Sequence, residues 1–314
     1  MKYILDVDTG IDDTISIAYM CAQTNINLLG ITTVYGNIDV ASATQNTLNL
    51  LNYFKRYDVP VYQGCTHARR DKKYEHLAGG ILFHGQNGIG NIELSTSPIQ
   101  KEQKHAVDFL LESAKKYGKD LVIIASGPLT NVAKAIERNP QVMESIGKLV
   151  LMGGAFGVPG NVSVFAEANI AQDDLSSKIV LRSSVPITMI GLDVTNRAIF
   201  TKQDLKHWEE KAPKLYQIVD YYFEAYKKSY PSWGGCALHD PLAAVVALDD
   251  TVVEGVCVNL DVLNDSTQKG RTVLDLEAYN KNKMPNVWVA LDANIEAFKD
   301  RLISDIDSLI ESIS

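Results

Sequence analysis

Short apolar, β-rich runs alternate with longer helical patterns along almost the whole chain, and this alternation restricts the fold more than any other feature. The strand-like runs are KYILDV (2–7), NLLGITTVY (27–35), DLVIIAS (120–126), KLVLMGG (148–154) and PITMIGL (186–192). Helix-like stretches lie between them, near 12–23, 40–56, 102–117, 130–138 and 172–183. The strands are apolar without clean alternation, as expected of a sheet covered on both faces. Strand–helix repetition calls for right-handed βαβ units, and so for an α/β fold with a doubly wound, mostly parallel open sheet flanked by helices. Beyond residue 192 the regularity weakens. Helical patterns at 201–229 and 239–248 precede a β-leaning region (252–275), a strand NVWVAL (286–291) and a closing helix (292–312).

No Pro/Ser-rich linker, repeat or low-complexity tract interrupts the pattern, so residues 1–314 read as a single domain. Two segments leave the scaffold: 66–92, Gly-rich with HGQNGIGN, and 229–238, SYPSWGGCAL. Irregular excursions of this kind are expected as active-site loops.

A net charge of −8 argues against nucleic-acid or anionic-membrane partners, both of which need basic patches. The one basic cluster, HARRDKKYEH (67–76), reads as a solvated loop. Apolar runs such as LAAVVAL (242–248) are too short to span a bilayer. The four cysteines (Cys21, Cys65, Cys236, Cys257) lack C-x-x-C spacing and read as buried thiols of a reducing compartment. A cytoplasmic location is the expectation.

Where the first strand ends, DVDTGIDD gathers Asp6, Asp8, Asp12 and Asp13, and no Lys, Arg or His occurs between Lys2 and Lys55. Asp12 or Asp13 alone can be explained as an acid favouring a helix N-terminus. Asp6 and Asp8 cannot, because period-two alternation places both on one side of the strand. Crowded carboxylates raise one another's pKa unless a cation intervenes, and oxygen-only donors suit a hard ion, Ca²⁺ or Mg²⁺, with Ca²⁺ favoured by a flexible oxygen shell.

Other polar residues end other strands, where open α/β sheets bind ligands. They are Asn37 after 27–35, Ser126 after 120–126, and Asn161, Glu167 and Asn169 after 148–154. His239-Asp240-Pro241 opens a later helix, with Pro at a first-turn position. Asp, Glu and Asn together suit vicinal hydroxyls, which both donate and accept, so a sugar fits better than a phosphate.

In this order and spacing, DVDTGIDD, TTVYGN, SGPLTN, MGGAF, NVSVFAEAN and HDP resemble the inosine–uridine preferring nucleoside hydrolases. The resemblance implies a doubly wound α/β fold and a Ca²⁺ at the strand ends. It also implies cleavage of ribonucleosides to free base and ribose. Carried over by motif, Asp8, Asp13 and Asp240 are side-chain Ca²⁺ ligands, with a backbone carbonyl from Ser126. Asp12, Asn161, Glu167, Asn169 and Asp240 would hold the ribose, and Asn37 would serve the nucleophilic water. Asp6 is a supporting carboxylate. Asp8 is the expected general base and His239 the expected acid toward the leaving base. His84, Tyr226 and Tyr230 are expected to face the base, with Trp233 close by. Family members are commonly homo-oligomers, dimers or tetramers.

Departures from the pattern are Thr9 in place of Pro, Asn87 and Asn91 in place of Asp, and Ala168 in place of a large aromatic. Two alternatives stay open at this point. One is a calcium-dependent nucleoside-binding protein without catalysis. The other is a haloacid-dehalogenase-type phosphatase, whose D-x-D also follows a strand.

Overall fold

The computed structural model describes residues 1–77 and 79–313. Ala78, inside the expected 66–92 loop, and Ser314 lie outside the described residues. The central sheet contains β1 (Lys2–Val7), β2 (Asn27–Thr33), β3 (Val61–Gln63), β4 (Leu121–Ala125), β5 (Lys148–Met152) and β6 (Ile187–Ile190). Two short strands, β7 (Ile199–Phe200) and β8 (Cys236–Ala237), pair separately, and β9 (Val253–Val258) lies at one edge of the central sheet. The last strands are the hairpin β10 (Leu260–Leu263) and β11 (Arg271–Leu274), then β12 (Val287–Ala293), which the Ile295–Ile313 helix follows. The central order is β3-β2-β1-β4-β5-β6-β12-β9, parallel throughout except for the antiparallel β12–β9 pair. The chain reverses its direction of winding at β1, which is where such sheets open a ligand crevice.

Side chains alternate between two cores. Along β1, Tyr3, Leu5 and Val7 enter the core on one face and Ile4 the core on the other. Along β4, Val122 and Ile124 join the first, and Leu121, Ile123 and Ala125 the second. Both faces being apolar explains why the strands read as continuous hydrophobic runs. The Ile11–Ala22 helix is buried nearly all round, packed against the His239–Leu248 and Ile295–Ile313 helices.

Several boundaries differ from the sequence expectation for local reasons. The 172–183 pattern divides into Ala168–Gln172 and Asp174–Arg182, because Asp173 accepts from Ser176 N and caps a new helix. The 201–229 pattern divides into three helices, the last, Pro213–Ser229, carrying proline in its first turn. Helix 102–117 starts at Ala106, where His105 caps by accepting from Val107 N. The 66–92 segment contains a short helix, Gly80–His84, and the three-residue β3 gave no clear pattern. Three cysteines are buried, but Cys257 is exposed, because the edge strand β9 has only β12 beside it.

Candidate active site

β1 ends at Val7 and the next helix starts at Ile11, so Asp8 to Gly10 form a tight strand-to-helix turn that delivers Asp12 and Asp13 to the strand ends. Asp8 has no solvent exposure. Its Oδ2 accepts from Asn37 N at 2.7 Å and its Oδ1 from Asn37 Nδ2 at 3.1 Å. Asp13 Oδ2 accepts from Gly10 N at 2.8 Å, so this acid does cap its helix, while its Oδ1 accepts from Ser126 Oγ at 2.8 Å. Asp6 accepts from Thr32 Oγ1 and Asn131 Nδ2, which ties β1 to β2 and to the first turn of the Thr130–Arg138 helix. Gly10 is required here, since a Cβ would stand 2.5 Å from Asn37 Nδ2 and 2.7 Å from His84 Nδ1.

Asp12, Asp13 and Asp240 are buried and offer oxygens within 4.8 Å of one another. Asp12 Oδ1 is buried without a hydrogen-bond partner. An orphaned carboxylate oxygen is costly, and a hard divalent cation would satisfy it. The donor set is oxygen only, so these residues fit such an ion. Asp8, held by Asn37, lies beside Asp13 at the edge of this cluster. The Ser126 carbonyl, expected as a ligand, accepts from Asn169 Nδ2 at 2.9 Å, and it is the Ser126 hydroxyl that meets Asp13.

Burial and mutual charge dominate the electrostatics. Burial, then the Asp13 charge, holds Asp8 well above the usual carboxylate range. The same two causes push Asp12 up to about 7. Asp240 is held high by burial and then by Asp12, Asp13 and Asp8. Burial raises Asp6 to about 6 against its two hydrogen bonds. A carboxyl whose folded pKa is raised stabilises fully below its unfolded pKa and loses that contribution as pH rises through the folded value. Through Asp12 alone, the metal-free protein should therefore lose stability as pH rises from the unfolded carboxylate value of about 4 through about 7. Deprotonation also favours cation binding, so the gap in Tm between calcium-loaded and chelated protein should widen from about pH 5 to about pH 7. Differential scanning fluorimetry at both values checks this; an equal gap at both would contradict it.

Above the acids opens a half-enclosed cleft. Asp12, Asn37, Ser126, Asn161, Glu167, Asn169 and Asp240 line its polar side. Glu167 also caps the Ala168–Gln172 helix, its Oε1 accepting from Asn169 N at 2.8 Å and its Oε2 from Ile170 N at 3.1 Å. Asn161, on the exposed rim, accepts from Ala168 N at 3.0 Å. Ala168 itself lines the cleft, leaving open the space a larger side chain would fill.

The opposite wall is aromatic. Tyr226 and Tyr230 lie 5.5 Å apart, and Tyr230 stacks on Trp233 at 4.6 Å and 24°. His239 is bonded at both ring nitrogens, Nε2 to Tyr226 Oη and Nδ1 to Thr195 Oγ1, each at 2.8 Å. Burial lowers its pKa to about 4, so it is neutral at working pH. His84 Nδ1 accepts from Ile11 N at 3.1 Å, at the N-terminus of a helix, which leaves the proton on Nε2. Burial, then His239, lowers the His84 pKa to about 3.

Both loop expectations reach the cleft: Leu77, Gly79, Gly80, Phe83 and His84 come from 66–92, and Tyr230 and Trp233 from 229–238. Asn87 and Asn91 are turn residues instead. Asn87 Oδ1 accepts from Ile89 N and Asn91 N, and Asn91 Oδ1 from Gln86 N. Sequence reading missed Tyr222, one turn before Tyr226, along with Phe83 and Asn196, all lining the cleft. The i, i+4 spacing of Tyr222 with Tyr226 was the available signal for the first. Thr195, in contact only through His239, gave none.

Residues 3–300 match the family model for inosine-uridine preferring nucleoside hydrolases. A purine-preferring ribonucleoside hydrolase from Gardnerella vaginalis superimposes with a TM-score of 0.96 at 39% identity, covering 99% of this chain and 100% of that one. An inosine-uridine preferring nucleoside hydrolase of Leishmania major is 33% identical, over 95% of this chain and 94% of that protein. Uridine nucleosidase 1 of Arabidopsis thaliana is 31% identical, over 85% of this chain and 83% of that protein. The chain belongs to the inosine-uridine preferring nucleoside hydrolase family, enzymes that hydrolyse the N-glycosidic bond of ribonucleosides. Membership sets the phosphatase alternative aside. Among the described residues no helix is long and apolar enough to cross a membrane.

Proposed function

We propose that this protein is a Ca²⁺-dependent ribonucleoside hydrolase in which Asp8 is the general base. The observation that carries the reading is the buried Asp12, Asp13 and Asp240 cluster, with an orphaned oxygen, on the floor of an aromatic-walled cleft. Asp13 and Asp240 are metal ligands, joined by Asp8, by Asp12 or by the Ser126 carbonyl. A bound Ca²⁺ supplies Lewis acidity that lowers the pKa of the attacking water. Asn37 donates twice to Asp8 and so fixes the orientation in which the base takes a proton.

Asp12, Asn161, Glu167, Asn169 and Asp240 bind the ribose hydroxyls, and the carboxylates among them, when ionised, favour the oxocarbenium-like state of glycosidic cleavage. His239 is neutral and doubly bonded, so its role is to orient the Tyr226 hydroxyl rather than to supply an imidazolium proton. His84 presents Nε2–H as a donor to an acceptor atom of the base. Tyr226, Tyr230 and Trp233 supply apolar ring surface for that base. Residues 1–314 are read as one hydrolase domain, cytoplasmic, and a dimer or tetramer.

Ribose release from a panel of inosine, uridine and cytidine beside their 2′-deoxy counterparts tests the reading. Each charge-assisted bond to a ribose hydroxyl contributes about 1.5–3 kcal/mol, so losing two should cut kcat/KM by about 10² to 10⁴. Binding of ribonucleosides without any ribose release would instead favour a silent binding protein.

A further inference from the structure

Residues 67–76 form the expected exposed loop over most of their length, but Arg69, Arg70 and Tyr74 tie it to the body of the protein. Arg69 N donates to Asp173 Oδ2 at 3.3 Å, and its guanidinium donates to Ser176 Oγ at 3.0 Å and to Glu137. Arg70 pairs with the buried Asp174 at 3.1 Å. Held in this way, the segment turns Tyr74 inward against Tyr35, with ring centroids 6.1 Å apart. The Tyr74 hydroxyl donates to the Gly36 carbonyl at 3.0 Å and lies 2.9 Å from His76 Nδ1.

The Gly36 carbonyl and the Asn37 N–H are opposite ends of one planar peptide unit. That N–H donates to Asp8 Oδ2 at 2.7 Å. A continuous hydrogen-bonded line therefore runs from the Tyr74 hydroxyl through one peptide to the carboxylate of Asp8. The peptide is pressed against Asp8, since a Cβ on Gly36 would stand 1.9 Å from Asp8 Oδ2. Gly36 N also donates to Ile38 O at 3.0 Å, closing a tight turn. Burial, and after it the Asp8 and Asp39 charges, raises the Tyr74 pKa, consistent with a hydroxyl close to these acids that stays protonated.

We propose that Tyr74 is a positioning residue for the hydrolysis, holding and polarising the Gly36–Asn37 peptide so that Asp8 keeps its catalytic orientation. This rests on the reading of Asp8 as general base. Bonds in series through an amide strengthen one another, and small displacements of a reacting group are costly in rate. Tyr74 does not itself line the cleft and reaches it only through Gly36, whose carbonyl it holds. Its loss should therefore act on turnover and not on substrate binding.

Tyr74→Phe deletes the hydroxyl and keeps the ring. The expected result is a kcat lower by roughly five- to tenfold with KM within about twofold, the size of one lost hydrogen bond. A 4-aminophenylalanine at position 74 restores a donor and should recover most of the loss, which a purely structural role would not. Hydrogen exchange at the Asn37 amide should also be faster in Tyr74→Phe. An unchanged kcat, or a loss carried by KM, overturns the proposal. If the wild-type protein releases no ribose from any nucleoside, the hydrolase reading fails by itself. The exchange measurement then still decides the link: faster Asn37 exchange upholds it, and unchanged exchange overturns it.

Discussion

Asp8→Asn should lower ribose release by on the order of 10³-fold while leaving the protein folded, the range expected when a general base is removed. The substitution is nearly isosteric. One oxygen still accepts from Asn37 N, now at 2.7 Å, so the turn at Gly36 and Asn37 keeps its anchor. What disappears is the capacity to take a proton from water. Asp8 is fully buried beside Asp13, so its ionised form is unfavourable in the metal-free state and the substitution removes that liability. The Tm of chelated Asp8→Asn at neutral pH should accordingly equal or exceed that of chelated wild type. A fall in activity with an equal fall in Tm would mean that Asp8 serves the fold. Full activity would remove Asp8 as base. Steady-state kinetics beside thermal denaturation separates the three outcomes.

The scaffold was legible in the sequence because its signals are local. A strand buried on both faces must be apolar along its length, and KYILDV and LVIIA could hardly be anything else. DVDTGIDD was legible as a site because four acids without a nearby cation conflict with ordinary folding electrostatics. The partition of duties was not. Asp12 and Asp8 differ by four residues, yet Asp12 groups with Asp13 and Asp240 while both carboxylate oxygens of Asp8 are held by Asn37. That depends on a partner 29 positions away.

The histidines make the same point. His239 reads in sequence as an acid with an intrinsic pKa near neutrality. Burial leaves it neutral instead, with its ring nitrogens bonded to Tyr226 and Thr195. Arg69 and Arg70 read as solvated charge, whereas their carboxylate and hydroxyl partners come from helices more than sixty residues further on. In each case the deciding contact is long-range, and residue type alone does not specify it.

Removal of the metal carries the other large expected effect. Asp12, Asp13 and Asp240 have no basic residue among the main influences on them, and one carboxylate oxygen of Asp12 is orphaned. Left without a cation, such a cluster holds protons at neutral pH rather than the negative charge the reaction needs. A Lewis acid in a dry site contributes several kcal/mol to the transition state, so exhaustive chelation should reduce turnover by on the order of 10²-fold or more. The direct measurement is ribose release from inosine and uridine by chelated protein as Ca²⁺ is titrated back, with binding followed in parallel by calorimetry. The predicted result is turnover that rises in proportion to one Ca²⁺ bound per chain and is absent from the Asp13→Ala variant. Full turnover by the stripped protein, or none with the cation bound, would contradict it.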